Sequence, residues 1–337
     1  MKNTKFGIIA IVAILMWACS QNSNASKETE SKDVYVAGYI ENEQGKKIAT
    51  LWKNGVPQNL TNATRDTEAN SVFVFGNDVY VVGHEYSDIA KLWKNGVEQN
   101  LTIANYRTWA NDVFVSDNDV YVLGGANIQG NVIGVLWKNG VAQNITAGNS
   151  EVFAHSIFVS GNDVYIAGEV GNEEGYSVAT LWKNGVAQKL TNGNTYGEVY
   201  SVYVHDNDVY VVGEESDDEE NETAILWKNG VPQILTNGIT VNAVFVSDGN
   251  VYVAGGGLNG AGIAILWKNG ETQNLTDGSR EASAYSVFVS GDDVYVVGNE
   301  MVAMHPIIET PIVWKNGVAQ KLTNGTFNAK ANSVFVK

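Results

Sequence analysis

The chain of 337 residues carries a formal net charge of −16, with 35 glycines, 4 prolines and one cysteine. Such an acidic surface repels nucleic-acid phosphates and anionic lipid heads, which excludes nucleic acid as a partner and membrane binding by charge alone. A single cysteine excludes an intrachain disulfide, and many glycines among plentiful Val, Tyr and Phe point to short strands joined by tight turns.

The chain opens with Lys2 and Lys5, then an apolar run from Phe6 to Trp17 that is too short to span a bilayer comfortably. Ala18 places a small residue before Cys19. This stretch resembles the signal peptide of bacterial lipoproteins. The resemblance implies removal of residues 1–18, acylation of Cys19 and a membrane partner reached through that lipid. The address it implies is the bacterial cell envelope, at the outer membrane rather than the inner, either periplasmic or surface-exposed. Two or more acyl chains anchor a protein stably, because each buried CH₂ contributes about 0.8 kcal/mol and one chain is marginal. Residues 19–32 read as a lipidated tether, polar from Ser20 to Lys32.

From residue 33 to residue 337 the chain repeats itself. Trp-Lys-Asn-Gly occurs seven times, its tryptophans being Trp52, Trp93, Trp137, Trp182, Trp227, Trp267 and Trp314. A Val-Tyr-(Val/Ile) segment and a third apolar segment, centred on Phe73 and its six counterparts, recur with it. A period in the low forties with several strands per repeat is the spacing of a β-propeller. The second repeat serves as the example. Strand A is predicted at Ser71–Phe75, strand B at Asp78–Gly83, strand C at Ile89–Lys94 and strand D at Val97–Thr102. Asn95-Gly96 marks the C–D hairpin, since both residues tolerate positive φ. Strand D should be the outer edge, because Pro57 and Pro232 occupy its second position and only an edge tolerates the missing donor cheaply. Strand A then lies innermost.

The ends are out of phase. Residue 33 starts a strand B without its strand A, and Ala331–Lys337 supplies a strand A without its strand B. Pairing the two completes the first blade. The fold expected is therefore all-β: a seven-bladed propeller of four-stranded blades, closed by the C-terminal strand on the N-terminal one, and monomeric. Tyr-Val-Leu-Gly-Gly at 121–125 and Tyr-Val-Ala-Gly-Gly at 252–256 resemble kelch strands. The stretch Asp248-Gly249-Asn250-Val251-Tyr252-Val253 resembles short bacterial propeller repeats. These resemblances imply the fold and leave function open, because propellers host many activities.

Topology sorts the connections onto two faces. The A–B and C–D turns are short and uniform, whereas the B–C and D–A loops vary, and varied loops on a rigid scaffold are where specificity resides. The repeated tryptophans and strand B tyrosines, one per blade, read as packing between blades. Trp109 breaks the pattern in a D–A loop, at a column otherwise holding Glu68, Phe153, Glu198, Thr240, Ser283 and Lys330. Just before each strand A lies a second column: Asn70, Asn111, His155, Tyr200, Asn242, Tyr285 and Asn332. The candidate ligand-binding residues are Trp109, Phe153, Tyr106, Tyr200, His155, Arg107 and Asn111. Aromatic faces of this kind stack on sugars or anchor protein partners, or else seal the gaps between blades. Arg65, Arg107 and Arg280 share the varied face and could clamp an anion, or stand there independently.

No metal-ligand spacing joins His84, His155, His205 and His305, and the acidic run Asp217 to Glu220 lacks the spacing of a calcium loop. No cofactor motif or catalytic constellation is visible, so the chain is expected to bind a ligand and not to be an enzyme. The partner expected is a glycan or polysaccharide, or alternatively an envelope protein held by a scaffold. A glycosidase or lyase would need a convergent carboxylate pair, for example Glu68 and Glu198.

Overall fold

The tetrapeptide that marks each repeat does three jobs. In a computed structural model of the chain, Asn54 and Gly55 have φ of 52° and 79°, and the same pair of positive values recurs at all seven Asn-Gly turns, the geometry that two-residue hairpins favour. The asparagine side chain ties the turn to strand B: Val34 N donates to Asn54 Oδ1 at 2.8 Å, and Asn54 Nδ2 donates to Asp33 Oδ1 at 2.7 Å. The lysine stands over the strand B tyrosine, 4.9 to 5.3 Å from the ring centroid in all seven blades. Six of these lysines also pair with the first carboxylate of strand B, as Lys53 does with Asp33 at 2.7 Å. Asn250 takes the carboxylate's place in the sixth blade, where Asn269 Nδ2 donates to it at 2.8 Å. The tryptophans themselves are at most 3% exposed and lie in the core clusters between blades. That burial fixes neighbouring blades together and accounts for one tryptophan per repeat.

The structure describes residues 32–86, 89–146, 150–217, 221–235, 238–257 and 262–337. The predicted signal peptide, Cys19 and nearly all of the tether lie outside them, as do residues 218–220 of the acidic run. The described residues form twenty-eight strands in seven antiparallel four-stranded sheets. In blade one, β1 (Val34–Glu41), β2 (Lys47–Lys53) and β3 (Val56–Asn59) follow β28 (Ala329–Val336), in the order β28-β1-β2-β3. Blade two runs β4 (Thr67–Phe75), β5 (Asp78–Glu85), β6 (Ile89–Lys94), β7 (Val97–Leu101), and the rest follow suit. The ring is closed as expected: Val34 pairs with Val336 and Tyr35 with Phe335, and Asp33 and Lys337 exchange two backbone bonds of 2.9 Å. The outermost strands are short and exposed, which suits an edge that must not recruit other chains.

Strand A is longer than predicted; it starts at Thr67 in blade two and at Arg107 in blade three. Each strand A carries a β-bulge, and the extra residue is the column Asn70, Asn111, His155, Tyr200, Asn242, Tyr285 and Asn332. The bulge presses a strand A carbonyl onto strand B. A Cβ at Gly83 would lie 1.9 Å from Glu68 O, and the six counterparts of Gly83 show 1.8 to 2.1 Å. Only glycine fits there. Deeper in the channel, the rings of Phe73, Phe114, Phe158, Tyr203, Phe245, Phe288 and Phe335 form a closed hoop, with successive centroids 4.6 to 5.0 Å apart. Contacts at that spacing are favourable tilted aromatic pairs.

Candidate functional site

The bulged column rings the channel mouth on the varied face, and its members divide into two groups. Four asparagines are clasps between blades. Asn70 Nδ2 donates to Ala110 O at 2.8 Å, Asn111 to Ala154 O at 2.7 Å, Asn242 to Ala284 O at 2.8 Å and Asn332 to Ala69 O at 2.9 Å. Asn111 thus serves the junction of blades three and four. His155, Tyr200 and Tyr285 break the series, two of them in adjacent blades.

Around His155 and Tyr200 the mouth becomes acidic. His155 projects from β12 (Val152–Ser160), and its Nε2 lies 2.9 and 3.0 Å from the two carboxylate oxygens of Glu169 in β13 (Asp163–Gly171). Glu169 is buried, and burial raises its pKa against the opposing pull of His155. In blade five, β16 (Tyr196–His205) pairs with β17 (Asp208–Ser216), which sets Glu198 directly opposite Glu214. Tyr200 OH donates to Glu198 Oε2 at 2.8 Å, and Val241 N donates to Glu214 Oε1 at 2.8 Å. Burial, outweighing that bond, pushes Glu214 up to about 7, with Glu222 and Glu198 adding to the shift. Tyr200 is pushed up as well, by burial first and then by Glu214 and Glu198. The rings of His155 and Tyr200 meet edge to face at 6.1 Å. Phe153, cross-strand from Glu169, is 40% exposed and Tyr196 is 44% exposed, Tyr196 resting on Tyr176 at 5.0 Å. The sector therefore combines aromatic faces with carboxylates that can accept hydroxyl or amine donors.

The predicted residues from blade three are placed differently. Arg107 and Trp109 lie on β8 (Arg107–Ser116), not in a loop, because strand B continues past its glycine and pairs with them. Phe153 is on a strand for the same reason, and His155 and Tyr200 are the bulged residues of their strands, inside the strand but outside the ladder. Trp109 is half-buried and lies on Gly125: a Cβ there would be 2.4 Å from Trp109 Cζ2. Tyr106 remains in the preceding turn, its N–H donating to Ile103 O at 3.0 Å. Two of the three arginines are held apart from any shared clamp: Arg65 pairs with Glu85 at 2.6 Å and Arg280 with Glu300 at 3.9 Å, each within its own blade. Glu169 and Glu214 escaped sequence reasoning. A usable signal existed in the residue after each strand B glycine: Tyr39, His84, Gly125, Glu169, Glu214, Gly256 and Asn299 vary as much as the Trp109 column facing them.

No family model matches the chain, and no curated protein matches it in sequence. Solved structures do match in fold. A puromycin-hydrolysing peptidase of Mycobacterium tuberculosis superposes with a TM-score of 0.60 at 13% identity, covering 86% of this chain and 51% of that one. An acylaminoacyl peptidase of Pyrococcus horikoshii gives 0.54 at 11% identity, over 87% of this chain and 51% of that one. The β-propeller domain of the Trilobed protease from Pyrococcus furiosus, described as having an open velcro topology, gives 0.52 at 13%, over 88% and 95%. This chain spans about half the length of the first two. The expectation that the chain is not an enzyme is corrected here: its fold is shared with the propeller parts of peptidases, so the want of a visible catalytic motif does not place it outside enzymes. At these identities the likeness shows the fold alone, and in fold this chain is similar to the propellers of peptidases.

Proposed function

We propose that the chain is an exported binding module, tethered to the cell envelope by a lipid on Cys19, that recognises a glycan at the mouth of blades four and five. The domain division that goes with this reading is a signal peptide at 1–18, a tether at 19–32 and the propeller from 33 to 337. One observation carries it: where the series of clasping asparagines breaks at His155 and Tyr200, exposed Phe153 and Tyr196 stand beside Glu169, Glu198 and Glu214. Aromatic rings cover the apolar face of a pyranose, and carboxylates accept its hydroxyls. Trp109 and Arg107 flank the sector on blade three. The test is a panel of polysaccharides and oligosaccharides, with Phe153→Ala and Tyr200→Phe beside the native chain. Affinity should fall on the order of 1–3 kcal/mol in Phe153→Ala. Equal binding by both would remove the sector from consideration.

A second reading, cleavage of the bound glycan, is favoured by Glu214, held near 7 directly opposite Glu198. A protonated carboxylic acid beside a second carboxyl group is the pairing that glycoside hydrolysis uses. Release of reducing ends, abolished in Glu214→Gln while binding persists, would select it.

A further inference from the structure

Blades three and six are the two that end strand B in a double glycine, Gly124-Gly125 and Gly255-Gly256. The residue facing the second glycine decides what fills the space above it. In blade three that residue is Trp109, whose indole lies on Gly125. In blade six, β20 (Ile239–Ser247) offers Thr240 to Gly256 of β21 (Asn250–Gly257). The nearest atoms to a Cβ at Gly256 would be Thr240 Oγ1 at 3.0 Å and Ser283 Oγ at 3.4 Å. A cavity of about 180 Å³ opens there, between blades six and seven.

We propose that this cavity is a binding site for a single pyranose ring. The size supports that choice, since it is well below the 300 Å³ or so of a drug-sized pocket and sits over a glycine of the kind that elsewhere in this chain carries an indole. The lining supports it too. Ser283 and Tyr285 line it with hydroxyls, Glu309 with a carboxylate and Met301 with an apolar patch, while Thr240 Oγ1 accepts from Gly256 N at 3.1 Å and so holds the floor. The buried Asn299 amide is already held, its Oδ1 by Ala331 N at 3.0 Å and its Nδ2 at 3.3 Å from Glu309 Oε2, so Glu309 is fixed in place before a ligand arrives. Preorganised acceptors at the edge of a ring-sized slot suit hydroxyl groups, and Glu281 and Glu309 in the lining disfavour an anion. The proposal is independent of the blade four and five sector.

The test is methyl NMR on the full chain, labelled at its methionine methyls and held in detergent micelles, with free glucose, galactose, mannose and N-acetylglucosamine as probes and the Met301 methyl resonance as the local reporter. At least one sugar should shift Met301. T240W, which rebuilds the blade-three arrangement, should abolish the shift, and F153A should leave it intact. Should T240W fail to fold, G256A places a methyl on the floor of the cavity and should weaken binding about tenfold. Absence of a Met301 shift with all four sugars, or a shift that survives both T240W and G256A, overturns the proposal. A shift lost in F153A as well would show one continuous site in place of two, and would also overturn it.

Discussion

Glu198 and Glu214 face each other across neighbouring strands, and the hydroxyl of Tyr200 donates to Glu198 Oε2 at 2.8 Å. Like charges directly opposite one another are destabilising in a sheet, and here the cost is relieved by protonating one of them. Burial pushes Glu214 up to about 7, which favours its protonated form.

That assignment has a pH consequence. The folded pKa of Glu214 lies near 7, above the ordinary value of 4.5. The folded state therefore binds more protons than the unfolded chain between these values, and stability falls as pH rises through that window. Glu214→Gln should remove much of this slope and raise the melting temperature at pH 8 by about 2 °C, with little change at pH 4.5. Melting curves across pH 4 to 8 check it. A slope unchanged by the substitution would show that Glu214 is ionised throughout.

The asparagine clasps should behave as structure. Asn242→Ala leaves Ala284 O without its side-chain donor, and Asn111→Ala does the same to Ala154 O. Each should cost about 1 kcal/mol, read by denaturant unfolding. Asn111→Ala should leave sugar affinity untouched, although the residue lies beside the candidate sector.

Trp109 should differ from Phe153 in what its loss does. Trp109→Ala empties the seat on Gly125 and should destabilise by about 2–3 kcal/mol, less than a fully buried tryptophan would. Phe153→Ala removes an exposed ring and should leave stability within about 0.5 kcal/mol. Paired unfolding and binding curves for the two variants separate packing from recognition.

The glycine that accepts the bulge is the most demanding position in each blade. Gly168→Ala would drive a methyl to 2.1 Å from Phe153 O and 2.9 Å from Ala154 Cα, both backbone atoms that cannot step aside. A loss of more than about 3 kcal/mol, or failure to fold, is expected. Gly171→Ala, with its nearest neighbour at 3.8 Å, is the control and should be mild by comparison.

The fold was legible because its signals are redundant. Seven Asn-Gly turns fix seven C–D hairpins, Pro57 marks an outer edge, and the mismatched ends, Val34 and Val336, become hydrogen-bonded neighbours. The site was less legible for a single reason. Ala-Asn-Ser-Val and most of its counterparts place two polar residues in succession, which reads as the end of a strand, whereas the bulge lets the strand continue through them. Residues on the far side, such as Phe153 and Glu198, therefore read as loop, and a loop has no cross-strand partners to point to Glu169 and Glu214. His155 and Tyr200 were still found, because their column departs from asparagine in the sequence itself.

The bulge also bears on how such a protein could change. A residue that sits outside the ladder can be exchanged without altering the register of the strands on either side of it. The seven bulged positions thus form a circle of addresses whose occupants can be rewritten one at a time, while the hoop of aromatic rings below and the lysine–tyrosine stacks on the opposite face hold the architecture constant. A library randomised at His155, Tyr200 and Tyr285 alone would vary the mouth and keep the propeller, making this chain a scaffold on which new recognition could be selected.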